Sequence, residues 1–150
     1  MPHLRLYVPE EWLRDDFRRA TGFDAHKLLD HLVQAVANFR MPNPASQDAS
    51  NNSVPMINLN NLKHAIVPLR HAHVGGDTSK RFLHVTLAAG NDTPGRTADV
   101  RKQIAEHLGN EVDTLAGNLP ALASVTVHVQ DIDRDRGYST TAERKKKRGG

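Results

Sequence analysis

Residues 81–88 read Arg-Phe-Leu-His-Val-Thr-Leu-Ala, and the alternation of side chains in this stretch decides the fold class. Successive side chains of an extended chain point to opposite sides, so every second residue shares a face. The two faces here are Phe82, His84 and Thr86 on one side and Leu83, Val85 and Leu87 on the other. A period of two with one apolar face predicts a half-buried β-strand.

The same pattern opens the chain, where residues 3–8 read His-Leu-Arg-Leu-Tyr-Val. A strand is therefore expected to begin almost at the terminus. Pro2 stands in front of it, directly after Met1. A proline can open a strand, because it need not donate a hydrogen bond there. If Met1 is removed, the ring nitrogen of Pro2 becomes a terminal secondary amine.

Two amphipathic helices are predicted, each with a capping residue and one apolar stripe. The first helix begins after its cap, Asp24, and ends at the segment 41–44. The second helix begins after its cap, Thr97, and ends at Gly117 and Asn118. The stripes consist of Leu28, Leu29, Leu32, Val33, Val36 and Phe39 in the first helix and Val100, Ile104, Leu108, Val112 and Leu115 in the second.

Two further extended segments follow the helices, at residues 64–74 and 122–129. Pro68 cannot donate to a ladder, so the former is expected to be an edge strand or to carry a bulge. Residues 47–61 are rich in Asn and Ser and are interpreted as a long loop, and residues 90–95 as a second loop.

The order strand, helix, strand thus occurs twice. It predicts an α/β (α+β) fold of two consecutive β-α-β units, which form a four-stranded mixed sheet with two helices on one face. Within each unit the strands should be parallel and the crossover right-handed. Because two helices cover only one face, the other face is expected to be hidden by association between copies.

Composition bounds the class of protein. The 150 residues fit one domain and include no cysteine, which excludes disulfides and thiolate chemistry. No segment reads as a signal peptide or a membrane span, so a cytoplasmic protein is expected. The net charge of +3 lies wholly within residues 131–150. We therefore expect a neutral domain over 1–130 with a flexible basic tail over 131–150, which argues against nucleic acid as a partner.

Several segments together resemble the 5-carboxymethyl-2-hydroxymuconate delta-isomerase family of the tautomerase superfamily. They are Met1-Pro2-His3, Ile66-Val67-Pro68-Leu69-Arg70, Phe82-Leu83-His84-Val85-Thr86-Leu87, Gly95-Arg96 and Arg101-Lys102-Gln103. The resemblance spans about residues 2–130 and implies the tautomerase fold. The sequence departs from it at 47–61, at an insertion over 91–94 and in the tail.

The resemblance implies a homotrimeric isomerase of aromatic catabolism without metal or cofactor, which acts on an unsaturated dicarboxylic acid. Pro2 would be the general base, Arg96 would bind a carboxylate or the enolate, and Arg70 would bind a second carboxylate. A terminal amine has a reference pKa of about 7.7–8.0, and burial beside cations would lower the pKa toward neutrality. A base with such a pKa contributes typically about 10²–10⁴-fold.

Other interpretations stay open. The pocket could be vestigial and the protein a binding module that uses the 47–61 loop or the tail, with Met1 retained. Nucleic-acid binding through the tail predicts a salt-dependent affinity that deleting residues 143–150 removes. His71 and His73 would share one face of a strand, with His64 nearby. No carboxylate or third histidine stands at a recognisable ligand spacing, so no metal site is predicted. Gly95-Arg96-Thr97 at a helix start is a weak phosphate-binding signal.

Overall fold

A four-stranded mixed sheet with helices on one face forms the centre of the molecule. The computed structural model describes residues 2–45, 52–90, 94–132 and 148–149. The strands of the sheet lie in the order β4-β1-β5-β6. The elements are β1 (His3–Pro9), α1 (Asp15–Thr21), α2 (Ala25–Asn38), β2 (Arg40–Pro42), β3 (Ser53–Pro55), β4 (Lys63–Leu69), β5 (Arg81–Gly90), α3 (Ala98–Ala116) and β6 (Leu122–Ile132).

The two predicted β-α-β units are confirmed. β1 pairs in parallel with β4, and β5 pairs in parallel with β6. An antiparallel pairing of β1 with β5 joins the units, with His3 opposite Ala88 and Leu6 opposite Val85. At one end of the sheet, β1 and β4 begin and β5 and β6 finish. At the other end, β1 and β4 finish and β5 and β6 begin.

The core lies between the sheet and the helices α2 and α3. The buried strand residues alternate as predicted, and they pack against the apolar stripes of both helices. The fully buried members from the central strands are Leu4, Leu6, Val8, Leu83, Val85 and Leu87. Both predicted caps are present, since the side chain of Asp24 accepts from the amides of His26 and Lys27, and that of Thr97 from Val100.

Residues 10–23 hold structure that periodicity alone does not indicate. A 3-10 turn at Glu10–Leu13 leads into the short helix α1. Trp12 stacks on Phe17 with ring centroids 5.2 Å apart, and Phe23 meets both rings edge-on. This aromatic cluster covers the space that the β1–α2 connection would otherwise leave open.

The prediction of an unbroken loop over residues 47–61 is wrong for its described part. Residues 53–55 form β3, which pairs with β2 as a small antiparallel hairpin, and a 3-10 turn follows at Leu59–Asn61. Residues 46–51 lie outside the described part, as do residues 91–93 of the predicted second loop. Met41 of the hairpin and Pro44 after it pack on Gly95, with Pro44 Cδ 3.3 Å from where a β-carbon would stand. Gly95 also has a left-handed φ of +89°, which favours glycine.

Three boundaries also differ from the sequence prediction. β4 ends at Leu69, and the chain bends immediately afterwards, where His71 adopts a positive φ of 54°. Leu115 of the predicted stripe is 40% exposed, and Ala116 is buried in its place. β6 continues to Ile132, past the predicted end of the domain at residue 130, while the predicted flexible tail falls mostly on undescribed residues.

Pro68 lies in β4 at the edge of the sheet, as its missing amide hydrogen predicts. Among the described residues, no helix packs on the sheet face opposite α2 and α3. The rings of Tyr7 and His84 contact each other there at an angle of 45° with centroids 5.4 Å apart, and His84 Nδ1 lies 2.5 Å from Thr126 Oγ1. Among the described residues no helix is long and apolar enough to cross a membrane.

Candidate active site

Pro2 lies at the end of the sheet where β1 and β4 begin and β5 and β6 finish, which we call the Pro2 end. The residue is buried, and its carbonyl accepts a hydrogen bond of 3.0 Å from the amide of Lys63. Because Leu4, Leu6 and Val8 face the helices, the alternation places the ring of Pro2 on the same face. The candidate base is thus fixed at the start of a central strand.

A row of residues crosses the sheet beside Pro2. Continuing the β1–β5 register by one residue brings Pro2 next to Ala89, and Ala89 is paired with Asp131 of β6. Paired residues of neighbouring strands share a face, so all three belong to the helix side. Ala89 is buried between the proline and the carboxylate.

Arg96 stands over the Pro2 end, but backbone carbonyls hold its guanidinium group. Nε and Nη2 donate to the carbonyl of Met56 at 3.1 and 2.9 Å, and Nη1 donates to the carbonyl of Gly90 at 2.9 Å. The side chain therefore ties the segment after the hairpin to the end of β5. Arg96 thus lies at the same end of the sheet as Pro2, and these hydrogen bonds all go to backbone carbonyls.

Arg101 is a second cation at the Pro2 end, and sequence reasoning gave it no role. Its Nη1 donates to the carbonyl of Arg96 at 2.6 Å and lies 3.4 Å from Asp131 Oδ2. The residue belongs to the first turns of α3, inside the segment Arg101-Lys102-Gln103 that carried part of the resemblance. The short spacing from Arg96 could have identified Arg101, because Arg96 precedes α3 and Arg101 lies in the first turns of that helix.

The opposite face of the Pro2 end is also cationic. His3 and Lys63 are paired in register, and Arg5 follows on the same face of β1. Partial burial, followed by the charges of Lys63 and Arg5, lowers the pKa of His3 below its ordinary value. These charges penalise any further positive charge nearby, and a protonated amine at the terminus would be one.

Arg70 lies at the other end of the sheet, which we call the Arg70 end. It follows β4, is 82% exposed, and pairs with Glu10 at 3.3 Å. The length of β1, seven residues, separates the two ends by about 20 Å. A side chain cannot span that distance, so Pro2 and Arg70 of one protomer do not meet.

A cavity of about 430 Å³ opens at the Arg70 end. Arg81 is its organising residue, since it contacts Glu11 at 2.5 Å, His73 Nδ1 at 3.0 Å and the carbonyl of Thr78. Partial burial would raise the pKa of Glu11, but the hydrogen bond and charge of Arg81 hold the pKa below its ordinary value. His71 and His73 line this cavity, yet no three His, Asp or Glu side chains of the described residues are grouped to hold a metal ion.

A second cavity, of about 140 Å³, lies beside the aromatic cluster and the start of α2. Its lining includes Trp12, Phe23 and Asp24. Neither of these two cavities contains Pro2.

Two β-α-β units joined through a central antiparallel pair define the tautomerase fold, and comparison with solved structures shows that this chain has it. The chain is similar to a 5-carboxymethyl-2-hydroxymuconate delta-isomerase, with a TM-score of 0.63 and 15% identity over 94% of this chain and 87% of the other. It is also similar to a 5-carboxymethyl-2-hydroxymuconate isomerase from Deinococcus radiodurans R1, with a TM-score of 0.60 and 15% identity over 93% and 88%.

A fused 4-OT wild-type symmetric trimer also matches, with a TM-score of 0.54 and 15% identity over 93% of this chain and 92% of the other. No protein-family model and no curated protein matches the chain. At these identities the comparisons establish the fold. The chemistry must be argued from the residues at the Pro2 end.

Proposed function

We propose that this protein is a cofactor-independent isomerase that shifts a double bond in a hydroxymuconate-like unsaturated dicarboxylic acid. Pro2, exposed as the terminal residue by removal of Met1, is the general base. One observation carries the proposal: Pro2 is buried at the end of a central strand, at the same end of the sheet as Arg96 and Arg101. The enzyme class of the similar structures supports it.

The surroundings of Pro2 favour an uncharged amine. Burial disfavours the ammonium form, and the cations at the Pro2 end disfavour it further, so both lower the pKa of a terminal amine toward neutrality. The ring also restrains the nitrogen, because it fixes φ. A neutral secondary amine held in this way can accept a proton from a substrate carbon.

The proposed reaction transfers one proton and changes no oxidation state. The Pro2 nitrogen removes a proton from the carbon next to a carbonyl group or, in an enol such as 2-hydroxymuconate, from the hydroxyl oxygen, and the electron pair is delocalised between that oxygen and the conjugated carbons. The resulting dienolate carries negative charge, which the nearby guanidinium groups stabilise. The ammonium of Pro2 then returns the proton to a different carbon, and the neutral amine is restored.

Arg96 and Arg70 have different places in this proposal. Arg96 contributes its charge to dienolate stabilisation while its hydrogen bonds fix Met56 and Gly90. Arg70 can bind the second carboxylate only if a neighbouring protomer supplies it, since its own Pro2 lies at the other end of the sheet. A homotrimer that covers the open sheet face would bring protomers together, and the trimeric 4-OT structures support that assembly.

The test is turnover of 2-hydroxymuconate and phenylenolpyruvate, followed by ultraviolet absorbance for the wild type and for Pro2→Ala. Intact-mass spectrometry of the same samples establishes whether Met1 is absent. Turnover by the wild type that Pro2→Ala abolishes supports the proposal. Equal rates for the two proteins, or an uncleaved Met1 in an active sample, would refute the role of the proline.

A binding module with a vestigial pocket is the second candidate. It is favoured by the position of the 430 Å³ cavity at the other end of the sheet, away from Pro2. This candidate predicts no turnover with any enol substrate and a retained Met1. The same two measurements therefore separate the candidates.

A further inference from the structure

We propose that Arg101, and not Arg96, binds a carboxylate of the substrate beside Pro2, and that Asp131 holds Arg101 in place until the substrate arrives. The inference rests on the proposed function and names the group that recognises the substrate. It reassigns the carboxylate-binding role that the resemblance implies for Arg96.

The hydrogen-bond donors of the two arginines are used differently. Arg96 directs Nε, Nη1 and Nη2 to the carbonyls of Met56 and Gly90. Arg101 uses only Nη1, toward the carbonyl of Arg96 and the carboxylate of Asp131. Within the described residues, Nε and Nη2 of Arg101 have no hydrogen-bond partner. A planar fork with two unused sides can pair with a carboxylate through two parallel hydrogen bonds.

The position of Arg101 suits a substrate held by Pro2. Asp131 lies two strand spacings from Pro2 across Ala89, which is about 10 Å. Arg101 reaches Asp131, at the far end of this row, from α3. Ala89, between Asp131 and Pro2, is buried. The distance along the row is about the length of a six-carbon dienoic acid, so a carboxylate on Arg101 leaves the rest of the molecule directed toward Pro2.

The contact between Arg101 and Asp131 is weak enough for a substrate carboxylate to replace Asp131. The two side chains are 28% and 36% exposed and are joined by one contact of 3.4 Å. A partly exposed pair of this kind adds little stability. A substrate carboxylate that binds Arg101 through two shorter hydrogen bonds can therefore displace Asp131.

The experiment compares two probes with one carbon skeleton. Muconate carries two carboxylates, and muconamide replaces both with neutral amides. Binding of each probe is measured by calorimetry to the wild type and to Arg101→Gln, Arg101→Lys and Asp131→Asn. Lys102→Gln is the matched control, because it removes one positive charge from an exposed neighbour on the same helix. Thermal melts establish that each variant is folded.

We expect Arg101→Gln to weaken muconate binding by about 10- to 100-fold and to leave muconamide binding unchanged. Arg101→Lys should recover part of this loss, because it keeps the charge without the fork. Asp131→Asn should tighten muconate binding by about 2- to 5-fold, because the competing carboxylate is gone. Lys102→Gln should bind both probes as the wild type does.

The inference is overturned if Arg101→Gln binds muconate as tightly as the wild type, or if the wild type does not prefer muconate to muconamide. Turnover of 2-hydroxymuconate by Pro2→Ala is measured in parallel. If Pro2→Ala retains full activity while Arg101→Gln loses muconate binding, the proposed function fails and the carboxylate site stands. If Pro2→Ala loses activity while Arg101→Gln binds muconate as tightly as the wild type, the proposed function stands and the carboxylate site fails.

Discussion

The Pro2 end and the Arg70 end of the sheet both carry arginine, but the arginines differ in their exposure and in the groups they contact. At the Pro2 end, the proline is buried and Arg96 is tied to two carbonyls. At the Arg70 end, Arg70 is 82% exposed and forms one surface ion pair. The sequence resemblance implies that Arg70 and Arg96 both bind the substrate. The fold separates them, and it adds Arg101 to the end that holds the candidate base.

Activity should depend on the proline at one end of β1 and not on the proline at the other. Pro2→Ala is expected to lower isomerase turnover by about 10²–10⁴-fold, the usual contribution of a positioned general base. Pro9→Ala is the control, because Pro9 is also buried and closes the same strand at the Arg70 end. Steady-state kinetics of both variants tests this, and an equal loss in both would contradict it.

Arg96 should matter more to stability than Arg70 does. Arg96→Met leaves the carbonyls of Met56 and Gly90 without their donor, which should lower the free energy of unfolding by about 1.5–3 kcal/mol. Urea unfolding with a constant m-value is the measurement. A change below about 0.5 kcal/mol would show that these bonds do not fix the hairpin to β5.

The Arg70 end should respond to acid through Glu11. Its pKa is held below the ordinary value by Arg81, so the charged form favours the folded state. This stabilisation is present above the ordinary pKa and is lost as the pH falls through the lowered one. Thermal melts from pH 7 to pH 3 should therefore show the wild type converging with Glu11→Gln. A difference in stability that is constant over this range would contradict the linkage.

Arg70→Gln should have the smallest effect on stability, below about 0.5 kcal/mol, because its ion pair is exposed. Its effect on turnover sharpens the comparison of the two ends. If Arg70 serves the site of a neighbouring protomer, mixing Pro2→Ala with Arg70→Gln chains should restore activity in hybrid oligomers. Loss of activity in Arg70→Gln without such restoration would argue against a shared site.

The stability of the folded chain should fall as His84 on the open face becomes protonated. Burial, and after it the charge of His128, lowers the pKa of His84. The neutral ring is therefore the form that the folded protein favours, and stability should fall as the pH drops below the ordinary value of about 6.5. Thermal melts of the wild type and of His84→Gln between pH 7.5 and 5 test this, and a stability difference that stays constant over the range would contradict it.

The regular elements could be predicted because their residues repeat with the period of a strand or a helix. Leu4, Leu83 and Leu108 each lie where the pattern places them, buried in the core. The hairpin was missed because β2 and β3 have three residues each, too few to show a period. The aromatic cluster of Trp12, Phe17 and Phe23 was missed because its spacing follows neither period.

The candidate site was only partly predictable for a different reason. The resemblance gives types of residue, and strand order decides which of them meet. Pro2 and Arg96 reach one end because β1 begins where β5 finishes. Arg70 follows β4, which runs parallel to β1, and so it lies at the far end. Arg101 had no evident partner, because Asp131 falls in the segment that the sequence assigned to the tail.

The hydrogen bond from the Lys63 amide to the Pro2 carbonyl fixes Pro2 directly before the first strand. An affinity tag fused ahead of Pro2 would convert the candidate amine into an amide, and its residues would have to leave the sheet past Arg96. A tag placed after β6 avoids both problems. Recombinant protein purified through an amino-terminal fusion should therefore lack turnover until a protease regenerates the free imino group.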